Sequence, residues 1–410
     1  MKEIKAKTIG FFAVAMAASC AFAAPHAKKA AFPTPSNVPE LMTSFDGKKI
    51  STRDEWEKIR RPEILECFEK QSFGVRPASV ADGKGVTYKV LSDVEILGGK
   101  AQKKIVEATY KGPCGQHSWL FVAVFPKNAK KVPAFLYFDV GRRGSMNSMA
   151  ELEEYADRRW PAEKVVERGF ATAYVFKTAL APDEKGKNFR VGIFPAAENP
   201  EERTAESWAT ISAWAWGNSR IYDWLAAQPE VDASKIAIMG HSRGGKTALW
   251  TGASDPRFAL VYSIQSGCGG AKLNHVKLPQ SEHIKQILKN FPYWFCGNYA
   301  KYINKEMSMP FDQHMLAALI APRPLLISSA TLDMWCGQEG EWWTAHLASP
   351  AWELYGKKGL VAEAYPAPES PQMDGSVAYF VRTGIHSVTV YEWDRVMEFA
   401  EKQGWKGVGR

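Results

Sequence analysis

The sequence predicts an α/β fold: a mostly parallel central sheet with helices on both faces. Three observations carry that reading. Short, continuously apolar runs recur without alternation, as strands buried on both faces require. Helical patterns separate most of them. One run turns into a helix through a serine flanked by glycines, in IAIMGHSRGGKTALW, residues 236–250.

In chain order the strand-like runs are VPAFLYFDV (132–140), FATAYVF (170–176), KIAIMG (235–240), FALVYSIQSG (258–267) and PLLISSA (324–330). SWATISAWAWGNSRIYDWLAAQ (207–228) reads as a long amphipathic helix, and SRGGKTALWTGA as the helix after strand 235–240. SVTVYEWDRVMEFAEKQG (387–404) reads as a closing helix.

The chain begins differently. MKEIKAK is basic, TIGFFAVAMAASCAFA is apolar, and Ala21-Phe22-Ala23 is a small-x-small cleavage pattern, so residues 1–23 read as a secretory signal peptide. The apolar stretch is short for a membrane span, and no later one is long enough. Residues 24–40, rich in Pro, Lys and small residues, read as a leader, and 41–410 as one catalytic domain. Export to the periplasm or the exterior is the expected location.

The 410 residues are 46% hydrophobic and 23% charged, which is ordinary globular composition. Lysine plus arginine total 52 against 44 acidic residues, a net charge of +8. Lys2, Lys5 and Lys7 against Glu3 place +2 of that in the signal segment, leaving about +6. There is no long basic run and no nucleic-acid motif, so nucleic acid is not an expected partner. Of six cysteines one lies in the signal segment, and the other five show no CxxC metal pattern.

Gly240-His241-Ser242-Arg243-Gly244 matches G-x-S-x-G. A sharp strand-to-helix turn exposes the hydroxyl at a helix N-terminus, where amides and the dipole favour a developing oxyanion. Such a serine needs a base, and the base needs an orienting acid, in the chain order serine, acid, histidine. His275 and His283 come too soon, His314 precedes the expected acid, and His346 sits in a helical stretch. His386, in a loop before the closing helix, is the expected base. Asp333, after strand 324–330, is the expected acid, with Glu339 and Glu341 as neighbouring alternatives.

These motifs, with SIQSGCGGAKL, FPYWF, DQHMLAALIAPRPLLI, RTGIHS and the earlier SAWAWGNSRIYDWL, resemble carbohydrate esterase family 15, the glucuronoyl esterases, in bacterial form. The resemblance covers roughly residues 130–405. It implies the α/β-hydrolase fold and a serine carboxylic ester hydrolase with no metal or cofactor. The implied substrate is the ester between (4-O-methyl-)glucuronate on xylan and lignin alcohols, and the enzyme is expected to act as a monomer. It assigns Arg243 to the oxyanion, Lys246 and Trp335 to the sugar, and Glu282 to a polar position near it; Trp294 is expected to pack structurally.

The chain departs from the family pattern in two places. Fungal members carry a glutamate in E-S-G where this sequence has Gln265, and an amide cannot stabilise an imidazolium as a carboxylate does. Some bacterial members supply the acid after the next strand, where Asp333 stands. DVGRRGS (139–145) also differs, and Arg142 and Arg143 there read as solvated charges. Two rival functions follow: an acetyl xylan esterase or other carbohydrate deacetylase, and a carbohydrate-binding protein whose active site has lapsed, motivated by Gln265.

Overall fold

The computed structural model describes residues 32–141, 149, 160–187 and 189–409. Residues 1–23, read as a signal peptide, and Arg142 and Arg143 therefore lie outside the described residues. Nine strands form one sheet in the order β1-β2-β3-β5-β4-β6-β7-β8-β9. They are β1 (Val86–Ile96), β2 (Ala101–Gly112), β3 (Gly115–Pro126), β4 (Val132–Asp139), β5 (Ala171–Phe176), β6 (Val231–His241), β7 (Leu260–Ile264), β8 (Leu325–Ala330) and β9 (Val377–Arg382). β4 to β9 pair in parallel, while β1, β2 and β3 pair antiparallel and β3 joins β5 antiparallel.

The two faces of the sheet divide the apolar residues by the alternation of the strands. Leu136, Phe138, Ile236, Ile238, Val261 and Ile327 face one core, which takes in α2 (Thr210–Ala226), α3 (Arg243–Ser254) and α4 (Gln338–Ala348). Phe135, Tyr137, Ala237, Met239, Tyr262 and Leu326 face the other, closed by α1 (Ala162–Glu167) and α5 (Val390–Lys402). This is the fold expected from sequence: an α/β-hydrolase sheet with both faces covered.

Four strands were not read from the sequence. β1 to β3 form an antiparallel edge, and β1 is exposed or half-buried along its whole length, so it carries no continuous apolar run. β9 is a six-residue apolar run, VAYFVR, isolated in a loop-rich stretch. Its pairing with β8 brings the loop after Arg382 beside the loop after Ala330: Thr331 and Leu332 donate to the carbonyls of Arg382 and Gly384, both at 2.9 Å.

Contacts divide the chain after Phe32, and Pro33–Arg410 make one unit. Residues 33–40, within the stretch read as a leader, hydrogen-bond to that unit's later elements. Ser36 N–H donates to His275 O at 3.0 Å, and Trp343 Nε1 donates to Pro33 O at 2.8 Å. Among the described residues, no helix is long and apolar enough to cross a membrane.

Candidate active site

The turn between β6 and α3 holds Ser242 at φ 59°, ψ −124°, a backbone state costly for a residue with a side chain. The glycines around it are sterically required. A Cβ on Gly240 would lie 2.4 Å from Gly244 O, and one on Gly244 would lie 2.8 Å from Phe138 O. Ser242 N–H is anchored to Ile264 O at 2.8 Å, so β7 fixes the turn. The amide of Arg243, first in the helix, has no carbonyl partner within it.

The loops after β8 and β9 bring the expected acid and base together. His386 Nδ1 lies 2.6 Å from Asp333 Oδ2. The carboxylate is buried, with only 4% of its side chain exposed, while the imidazole is 38% exposed. Nδ1–H thus donates to Asp333, leaving Nε2 for proton transfer. The His241 ring packs on His386 with centroids 4.3 Å apart, which ties the base to the residue preceding Ser242.

The other histidines have partners elsewhere. His275 pairs with buried Asp312 at 2.7 Å. His314 Nε2 contacts Pro39 O at 3.0 Å, and burial pushes its pKa down to about 4. His346 stacks on Trp342, and His283 caps the helix Ile284–Asn290. The alternative acids separate as well. Glu341 is fully buried beneath the site, accepting from the amides of Ser266 and Gly267 at 2.7 and 2.9 Å and from Ser329 Oγ at 2.5 Å. Burial raises its pKa to about 7. Glu339 stands in the first turn of α4.

Arg243 is held by a group the sequence reading missed. Asp183, in the loop after β5, receives Arg243 Nη1 and Lys177 Nζ on one oxygen. Its other oxygen accepts from Tyr293 OH at 3.0 Å and Trp294 Nε1 at 2.8 Å. Burial acts to raise the Asp183 pKa, but the charges of Arg243 and Lys177 outweigh it and the carboxyl titrates below its ordinary value. The guanidinium lies over Trp294 and Phe291, 4.5 and 4.9 Å from their centroids, and those rings stack at 3.9 Å. Trp294 thus supports the guanidinium from below. Arg243 Nε is buried without a hydrogen-bond partner. In sequence, Asp183 is one aspartate in a polar loop, with no signal to distinguish it from a solvated one.

Lys246, Glu282 and Trp335 are gathered on one side. Lys246 is buried; Nζ donates to Ser266 O and lies 6.0 Å from the centre of the Trp294 ring. Burial raises the Glu282 pKa against the opposing pull of Lys246 and a hydrogen bond from Trp335. Glu282 N–H also donates to Trp335 O at 2.8 Å, while the indole remains 48% exposed. A buried cation and anion with an exposed aromatic face suit a polar ring bearing hydroxyls and a carboxyl.

Asp333, Cys336 and His386 have the donor types of a metal site, with one atom of each within 4.8 Å of the others. The 2.6 Å His–Asp contact is that of a hydrogen bond. Cys336 Sγ donates to Gln265 O at 3.1 Å, and burial holds the thiol well above its ordinary pKa, so it is a poor metal ligand. Among the described residues, all five cysteines are free thiols.

A strained serine at this turn, on this strand order, marks the class: the chain is a carboxylic ester hydrolase of the α/β-hydrolase fold. It belongs to carbohydrate esterase family 15. A family model of fungal glucuronyl esterases matches residues 165–356. A carbohydrate esterase from an unknown prokaryotic organism is 32% identical over 392 residues, covering 89% of each chain. Among solved structures, a glucuronoyl esterase from Solibacter usitatus is 34% identical with a TM-score of 0.82, covering 90% of this chain and 98% of that one. A promiscuous family 15 esterase from the marine bacterial metagenome is 31% identical with a TM-score of 0.80, covering 91% and 98%.

Proposed function

We propose that this chain hydrolyses glucuronoyl esters between (4-O-methyl-)glucuronoxylan and lignin alcohols, using Ser242, His386 and Asp333. His386 Nε2 takes the proton of Ser242 Oγ as the oxygen bonds to the uronoyl carbonyl carbon. Arg243 and its backbone amide stabilise the oxyanion. His386 then protonates the alcohol oxygen as its bond to the acyl carbon breaks. Water, deprotonated by His386, attacks the acyl-serine; the proton returns to Ser242 and glucuronate leaves. Asp333 holds the imidazole and stabilises its charged form. Lys246, Glu282 and Trp335 hold the sugar.

The observation that carries this reading is the 2.6 Å His386–Asp333 contact beside a strained Ser242. Neither rival is favoured: the family and its neighbours point to uronate esters, and Asp333 fills the place that a lapsed site would leave empty. Export through residues 1–23, and action as a monomer with no cofactor, belong to the same proposal.

The test is hydrolysis of benzyl glucuronate beside an acetate ester by wild type and Ser242→Ala. Glucuronate should be preferred, and the variant should lose turnover on the order of 10⁴-fold or more. Preference for acetate would move the chain to the deacetylases, and full activity in the variant would remove Ser242 from the mechanism.

A further inference from the structure

Gln265 sits one residue beyond β7 and is fully buried. Its backbone is held at φ 46°, with its N–H anchored to Ser328 O at 2.7 Å. A side chain kept in a left-handed conformation, with no exposure, has been placed there at some conformational cost.

Both ends of its amide are engaged. Oε1 accepts from Ser387 N–H at 2.9 Å and contacts His241 Nε2 at 3.2 Å, while Nε2 donates to Ser387 O at 3.1 Å. Both backbone polar groups of the residue after His386 are thus held by one side chain. The same amide reaches the residue before Ser242, whose ring packs on His386. The backbone carbonyl of Gln265 accepts the Cys336 thiol, which in turn lies 3.6 Å from His386 Nδ1.

We propose that Gln265 is a positioning residue for acyl transfer: its amide locks the Ser387 backbone to His241 and so fixes the His386 imidazole between Asp333 and Ser242. This rests on the function proposed above. A neutral amide supplies an acceptor for one backbone group of Ser387 and a donor for the other, which an ionised carboxylate cannot. A carboxylate would turn an oxygen toward Ser387 O. The amide is thereby the residue type this geometry requires, rather than the remnant of a lost acid.

The experiment measures kcat and KM on benzyl glucuronate for wild type, Gln265→Met and Gln265→Glu, per site titrated with a fluorophosphonate. Met keeps the volume and removes all three side-chain hydrogen bonds. Glu, assayed at pH 8 or above where it is ionised, keeps the acceptor and removes the donor. A misplaced base should lower kcat by roughly 10–100-fold in the Met variant, with a smaller loss in Glu. KM should change by less than about threefold, since the sugar contacts are elsewhere. Counting titrated sites removes any loss of folded protein, so a lower melting temperature with wild-type kcat in either variant overturns the proposal. If Gln265→Met does not fold, Gln265→Glu decides alone. Wild type without Ser242-dependent hydrolysis would instead overturn the function on which it rests.

Discussion

The two sides of Ser242 are built in opposite ways. On the Arg243 side the groups are charged and buried: the Asp183 and Lys177 side chains are each 2% exposed, and Lys246 and Glu282 are buried. On the His386 side the rim is apolar and open. Leu332 is 67% exposed, Ile385 64% and Met334 42%, on the two loops that carry the acid and the base. In the proposed mechanism His386 protonates the departing alcohol, which places the alcohol toward this rim and leaves the acyl group to the buried side. Charges fixed in a dry environment discriminate strongly, because a wrong partner leaves them unpaired. An exposed apolar rim contributes only the modest, shape-tolerant energy of partial burial. The molecule is thus built to be strict about the acid half of its ester and lenient about the alcohol.

The largest loss should come from the buried end of the acid–base pair. Asp333→Ala should lower kcat on benzyl glucuronate on the order of 10⁴-fold. A loss below tenfold would mean that another group orients His386. Next comes the anchor of Arg243. Asp183→Asn leaves Arg243 and Lys177 facing each other without their shared anion, and kcat per titrated site should fall roughly 10–100-fold. Unchanged kcat would reduce Asp183 to a purely structural ion pair.

The contrast in strictness has its own measurement. Lys246→Ala should lower kcat/KM on glucuronate esters by roughly 10–100-fold, the worth of a charged hydrogen bond, while sparing activity on a simple acetate ester. Leu332→Ser or Ile385→Ser should change the ratio of benzyl to methyl glucuronate hydrolysis by only about two- to fivefold. If the rim variants cost more than the lysine, the assignment of the two sides is reversed.

The same division explains what was legible in the sequence. Ser242, Asp333 and His386 lie on strand ends and loops in a fixed chain order, and the parallel strands announce themselves as apolar runs. Glu341 could not be separated from Asp333 by position, because both follow β8; only the fold shows Glu341 turned toward the Ser266 and Gly267 amides. Asp183 was invisible because, besides Lys177 just after β5, its partners Arg243, Tyr293 and Trp294 stand 60, 110 and 111 positions away along the chain. Gln265 was legible only as a departure; its hydrogen bonds to a loop 122 positions away explain it. β1 was missed because an edge strand exposed or half-buried along its whole length carries no continuous apolar run, whereas β3 ends in a buried apolar run, WLFVAVFP, that was legible and not read.

The smallest effect sharpens the comparison from beneath the His386 side. Burial raises the pKa of Glu341 from 4.5 to about 7. Between those values the unfolded chain has lost the proton and the folded protein keeps it, so stability falls as pH rises through this window. The loss amounts to about 3 kcal/mol and is complete above pH 7. Glu341→Gln resembles the protonated form, since its oxygen can still accept the Ser266 and Gly267 amides and its nitrogen can donate to Ser329 Oγ. The variant should therefore match wild type in melting temperature near pH 4.5 and exceed it by several degrees at pH 8, with kcat within about twofold. Parallel melting curves across that range would mean that Glu341 is ionised in the folded protein, its charge carried by the two amides. The His386 side would then rest on a buried charge as the Arg243 side does.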